Sequence, residues 1–192
     1  MRICTVIVED LPIRVLATDS FHKDRLICFL HGWGDSADRW VPFLALAEEA
    51  GYGAVAFDWP GFGRSPRPRA SWGVDEYARF LGAFINKYAK DSKEIVLVAH
   101  SMGARFAVRY VVEQSDRVIG LILTGAAGIP PERNRWRTFM AKTAKAIFSL
   151  PGFSRWYERV RDRFSSSDYR SSGAMRDVFR NIIAEDQRSE YG

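Results

Sequence analysis

The stretch Val96-Leu97-Val98-Ala99-His100-Ser101-Met102-Gly103-Ala104-Arg105 constrains this chain more than any other. An apolar run rich in β-branched residues enters a serine and leaves through residues compatible with a helix. A strand is therefore expected to end in a sharp turn that lifts Ser101 out, which is how a nucleophile is presented. Small residues stand two before and two after it, Ala99 and Gly103, where a strand and a helix must pass without side-chain collision. Position 99 is Ala where the G-x-S-x-G pattern has Gly. Taken alone, such a pentapeptide is more often an ordinary strand-to-helix turn than a catalytic elbow, so its meaning depends on the rest of the chain.

A chain of 192 residues buries one substantial core, with room for a small appended subdomain. Its 47% hydrophobic and 27% charged residues are those of a globular protein. The net charge of +5 is unevenly placed: 15 basic and 15 acidic residues balance through position 130, and 13 against 8 follow it. Two parts with different jobs are suggested. Cys4 and Cys28 sit in apolar, strand-like runs and read as core residues in a reducing compartment; neither is spaced for metal. There is no signal-peptide pattern, and no apolar run approaches the roughly 20 residues of a membrane span. The expectation is a cytoplasmic, soluble protein without a metal or cofactor site.

Taken in order, residues 3–9 and 12–17 form an antiparallel hairpin at a sheet edge. Residues 25–30 are a short continuous apolar run suited to a buried strand, opening into His31-Gly32-Trp33-Gly34-Asp35-Ser36. Asp38 is the expected cap of a helix over 39–50 that ends near Gly51. Strand 53–57 leads to the turn-rich Asp58-Trp59-Pro60-Gly61-Phe62-Gly63-Arg64-Ser65, then to a helix over 74–90 with Tyr77, Phe80, Leu81, Phe84, Ile85 and Tyr88 at helical spacing. Strand 94–99, helix 102–114 and strand 118–123 complete the alternation, which predicts an α/β fold with a doubly wound, mostly parallel sheet. In such sheets the loops at the carboxyl ends of the strands gather on one face, which would unite 31–36, 58–65, 100–102 and 124–129. After Gly128 the strand signals stop, and helices are expected over 136–150, 153–164 and 174–184. The division is thus a core over 1–128 and an all-helical cap or lid over 129–192.

His31-Gly32-Trp33-Gly34, Asp58-Trp59-Pro60-Gly61-Phe62-Gly63-Arg64-Ser65 and His100-Ser101-Met102-Gly103, each directly after an expected strand and in this order, resemble the α/β-hydrolase superfamily. Three motifs in register are far more specific than one. The resemblance implies a serine esterase with a helical cap, Ser101 as nucleophile, and the backbone N–H groups of Trp33 and Met102 as an oxyanion hole. Gly32 and Gly34 would let the loop turn inward. His31 would brace that loop, and Asp58 would tie the Gly-rich turn together instead of serving as a triad acid. His100 adjoins the nucleophile along the chain, so its side chain is expected to point away, as a structural or pocket-wall residue. Trp33, Phe62 and Met102 are candidates for an acyl pocket, and His22 reads as solvated surface. Ser at 101 argues against the dehalogenase and epoxide-hydrolase branches, which carry Asp there.

A Ser nucleophile needs a base and an acid that orients it, following in the order Ser, Asp or Glu, His. No His occurs after position 100. The resemblance places the missing pair on loops after the cap, in roughly 60–80 further residues on the scale of βαβ units. Without them strand 118–123 would be left as an apolar edge. The chain is therefore expected to be a truncated copy, cleaving a small carboxylic ester weakly if at all, with an acyl substrate and water as its partners. The alternative is a non-catalytic degenerate domain that keeps a ligand pocket. A third possibility is that Arg133, Arg135, Arg137, Arg155, Arg159, Arg161 and Arg163 bind nucleic acid or an anionic membrane. The interspersed Glu132, Glu158 and Asp162 favour a solvated cap surface, so no nucleic-acid partner and no membrane span are expected.

Overall fold

In a computed structural model, residues 1–19, 24–114, 116–128 and 173–191 are described. The expected helices over 136–150 and 153–164, the arginines from Arg133 to Arg163, and His22 lie outside them. Six strands form one sheet: β1 (Arg2–Val8), β2 (Leu11–Ala17), β3 (Arg25–Leu30), β4 (Ala54–Phe57), β5 (Glu94–His100) and β6 (Val118–Thr124), in the spatial order β1-β2-β4-β3-β5-β6. β3, β4, β5 and β6 are parallel to their neighbours among themselves; the β1–β2 hairpin joins antiparallel through β2 and β4. The sheet is mostly parallel, as the alternation of strands and helices requires. The hairpin turns on Glu9 and Asp10, both at positive φ, one residue earlier than the sequence pattern suggests.

Period-two alternation divides the core. Val55 and Phe57 of β4 face the larger cluster, while Ala54 and Ala56 face the smaller one. The smaller side is covered by α1 (Val41–Glu49), with Leu44 and Ala47 against Leu16, Phe29 and Trp40. The larger side holds α2 (Val74–Tyr88) and α3 (Met102–Gln114). There Phe57, Trp59, Tyr77, Phe84 and Phe106 interlock; the Phe57 and Phe84 rings lie 4.1 Å apart and those of Tyr77 and Phe106 4.5 Å apart. Tyr88 stacks on Phe84 at the last turn of α2.

The expected helix over 39–50 is corrected in its first turn. A 3-10 helix spans Ala37–Trp40 and is capped by Ser36, whose Oγ accepts from the Asp38 N–H; α1 begins at Val41 with Pro42 in its first turn. Pro42 lacks an N–H and fits only the start of an α-helix. Asp38 is instead drawn to the guanidinium of Arg14. The expected helix over 174–184 is found as a 3-10 turn at Gly173–Met175 followed by α4 (Arg176–Ala184), with Val178 and Ile182 buried against the core. β6 is the sheet edge among the described residues, and its Ile119 and Ile122 are exposed.

Phe84→Ala removes a buried ring from the centre of the aromatic cluster. It is expected to lower the unfolding free energy by about 3–5 kcal/mol, read as an earlier urea midpoint with an unchanged denaturant slope.

Candidate functional site

Ser101 joins β5 to α3 at φ +50°, one of three non-glycine residues at positive φ among those described. That conformation costs on the order of 1–3 kcal/mol and persists only where the surroundings over-determine it. Here they do. The Ser101 N–H donates to Thr124 O at 3.0 Å, and Ser101 O accepts from Ala104 N at 3.1 Å. A Cβ placed on Gly103 would stand 2.7 Å from His31 O and 3.0 Å from Leu30 O, and one placed on Gly32 would stand 3.2 Å from the Ser101 Cβ. The two glycines thus let α3 and the 31–34 loop close on the serine from both sides. Ala99 is buried completely in β5.

His31 is buried, and both its ring nitrogens are engaged. The Trp59 backbone N–H donates to Nε2 at 3.0 Å; because that group can only donate, Nε2 carries the lone pair and Nδ1 the proton. Nδ1–H reaches Gly32 O at 2.8 Å, and the Trp59 indole N–H donates to His31 O at 3.2 Å. Burial holds the His31 pKa below the ordinary imidazole value. A neutral ring with no spare lone pair cannot take a proton from Ser101. His100 turns its Nδ1–H to Thr124 O at 3.0 Å, stitching β5 to β6. Among the described residues no side chain hydrogen-bonds the Ser101 hydroxyl.

Asp58 is fully buried beneath this face. Its Oδ1 accepts from the Ala37 N–H at 2.7 Å, its Oδ2 from the Arg64 N–H at 2.8 Å, and Arg14 Nη1 lies 3.4 Å away. The carboxylate therefore pins the 3-10 helix, the Gly-rich turn and β2 together. Gly63, at φ +54°, lies so close that any Cβ would overlap the carboxylate.

Ser101 opens into a pocket of about 130 Å³ lined by Trp33, Ser101, Met102, Arg105, Ala127, Phe179, Ile182 and Ile183. The expected residues Ser101, Trp33 and Met102 are brought together there. Phe62 stands behind the wall, edge-on to Trp33 at 4.9 Å; Gly34, at φ +68°, has open space around it. Sequence reasoning did not single out Arg105, Phe179, Ile182 or Ile183. Arg105 stands at the i+4 position from Ser101, hence on the same helix face, and the other three repeat at helical spacing along α4. Phe179 meets the Trp33 ring edge-on at 4.8 Å. Larger concavities lie elsewhere among the described residues, one of about 590 Å³ beside Cys4, Arg14 and Arg64, away from Ser101. Among the described residues no cluster of His, Cys, Asp and Glu is arranged to hold a metal.

A family model described as the alpha/beta hydrolase fold matches residues 25–176. A non-heme haloperoxidase of Rhodococcus erythropolis is 34% identical over 119 residues, 59% of this chain and 42% of that protein. A non-heme chloroperoxidase of Streptomyces lividans is 33% identical over 121 residues, again 59% and 42%. The chain thus spans well under half the length of these curated relatives. Among solved structures, an esterase from Exiguobacterium antarcticum superposes with a TM-score of 0.67 over 97% of this chain and 75% of its own, at 21% identity, a likeness of fold. A membrane phospholipase A superposes with a TM-score of 0.63 at 31% identity, over 69% of this chain and 42% of its own.

The buried neutral imidazole makes stability depend on pH. The unfolded chain takes up a proton at His31 near pH 6.5, whereas the folded chain holds that site lower. The unfolded state therefore binds more protons below about pH 6.5, and stability falls as the pH drops. Urea midpoints measured from pH 7.5 to 5.5 should decline, and His31→Gln should flatten that decline; an unaltered slope in the variant contradicts the assignment.

Proposed function

The chain belongs to the alpha/beta hydrolase fold family, and from that premise we propose that it is a serine esterase-type hydrolase of small carboxylic esters, with Ser101 as the nucleophile. The observation that carries the reading is Ser101 held at positive φ between β5 and α3, facing a small pocket whose other walls are mainly apolar. Attack by the hydroxyl oxygen on a carbonyl carbon places negative charge on the former carbonyl oxygen. The Met102 N–H is the first of α3 and has no intrahelical acceptor, so with the Trp33 N–H it is assigned to that charge. Such a donor is worth roughly 3–4 kcal/mol in the transition state, and the positive end of α3 adds to it. Water is the second acceptor.

The pocket volume of about 130 Å³ admits a short acyl group. The free thiols of Cys4 and Cys28 suit a reducing compartment, and we assign the protein to the cytoplasm. No helix among the described residues is long and apolar enough to cross a membrane.

Activation of Ser101 is the weak link. His31 is not free to serve as its base, because both its ring nitrogens are engaged, and His100 commits its Nδ1–H to Thr124 O and makes no hydrogen bond to the Ser101 hydroxyl among the described residues. This favours a second reading, a ligand-binding hydrolase-fold domain without turnover. An oxyanion hole and binding alone leave about 10³–10⁴-fold catalysis over water when a triad is removed. The expectation is slow hydrolysis of a short-chain activated ester above that residual, falling in Ser101→Ala to what the oxyanion hole and binding supply without a nucleophile. Equal rates for the two chains contradict the esterase reading and leave the binding domain.

A further inference from the structure

Two arginines one turn apart on α3 are treated differently by the fold. Arg109 is paired with Asp75, Glu113, Glu185 and Glu190. Arg105, one turn nearer Ser101, has no carboxylate within ion-pair distance among the described residues. Its Nη1 donates to the main-chain carbonyls of Ile182 and Glu185, the latter at 3.1 Å, while Glu185, Asp186, Glu190 and Tyr191 act on it only through space. The residue is 6% exposed, and it remains a cation at any ordinary pH. A buried cation without a carboxylate is costly unless something else meets its charge.

The carbonyl bonds of Nη1 account for one side of the guanidinium and help hold α4 over the pocket. Nε and Nη2 make no hydrogen bond among the described residues. Neither is among the buried nitrogens that lack both solvent and a partner, so each keeps some contact with solvent. Arg105 supplies the one charged side chain that lines the Ser101 pocket among the described residues.

Resting on the reading of Ser101 as nucleophile, we propose that Arg105 selects substrates whose acyl part carries a carboxylate, short half-esters of dicarboxylic acids. The anion is met by Nε and Nη2, which present two N–H groups side by side in the geometry that fits a carboxylate. Arg105 stands four positions beyond Ser101, a rise of about 6 Å along a helix, which suits a spacer of about two carbons between the carboxylate and the scissile carbonyl. The apolar walls at Trp33, Phe179 and Ile182 hold that spacer.

The test measures binding and needs no turnover. On the Ser101→Ala chain, the affinities for monomethyl succinate and for its neutral isostere methyl succinamate are measured by calorimetry at low ionic strength. The acid is expected to bind at least about tenfold more tightly. That preference should fall to about onefold when Arg105→Met is added and survive in part with Arg105→Lys. Any loosening of α4 in these variants weakens both ligands and cancels in the ratio. A ratio near one on the Ser101→Ala chain, or one that survives Arg105→Met, overturns the proposal. Because no bond is broken in this experiment, a failed esterase assay leaves its result intact. Equally, hydrolysis of neutral esters with no binding preference for the acid removes only the role given to Arg105.

Discussion

Gly103 lies against the carbonyl oxygens of Leu30 and His31 at the end of β3, closer than any Cβ allows. That approach of α3 to a neighbouring strand is what the site depends on. It brings the start of the helix down onto the sheet within one residue of Ser101, so the serine must take up a left-handed backbone. The turn is then locked by bonds to Thr124 and Ala104, which span two strands and a helix. The strain is local, and the restraint is drawn from the whole carboxyl end of the sheet.

Buried polar groups carry the same face. His31, Trp59 and Gly32 exchange hydrogen bonds that leave neither nitrogen of the imidazole idle. Asp58 is satisfied by two backbone N–H groups and faces Arg14. Such groups are expensive to bury unpaired, and their pairing fixes the loops relative to one another more sharply than apolar contact would. The carboxyl-terminal helix completes the arrangement from the other side, with Phe179 on Trp33, Gln187 Nε2 bonded to Arg105 O, and the Tyr191 hydroxyl donating to Ala127 O.

The strands were legible because β-branched runs bounded by Gly-rich turns leave little choice of structure, and the elbow because three loops of matching character follow three of those strands. Asp38 shows where such reading stops. Nothing local tells it from a helix cap, and its partner Arg14 lies 24 residues away. Ser36 took the cap because its hydroxyl reaches the Asp38 N–H, and Pro42 delayed the α-helix to Val41. The pocket was half legible. Ser101, Met102 and Trp33 belong to motifs and Arg105 follows Ser101 at i+4, whereas the α4 segment joins them through contacts 77 and 80 positions apart in the chain, for which sequence spacing holds no signal.

In its proposed role as nucleophile, a strained serine whose hydroxyl meets no histidine hydrogen bond among the described residues should form an acyl intermediate faster than it loses it, since no described base is bonded to activate the attacking water. The most direct measurement is intact-mass and peptide-mapping spectrometry of the chain after exposure to p-nitrophenyl acetate. The account predicts a single acetyl group that accumulates on Ser101. Acetyl groups spread over lysines and the amino terminus, with Ser101 unmodified, would contradict it.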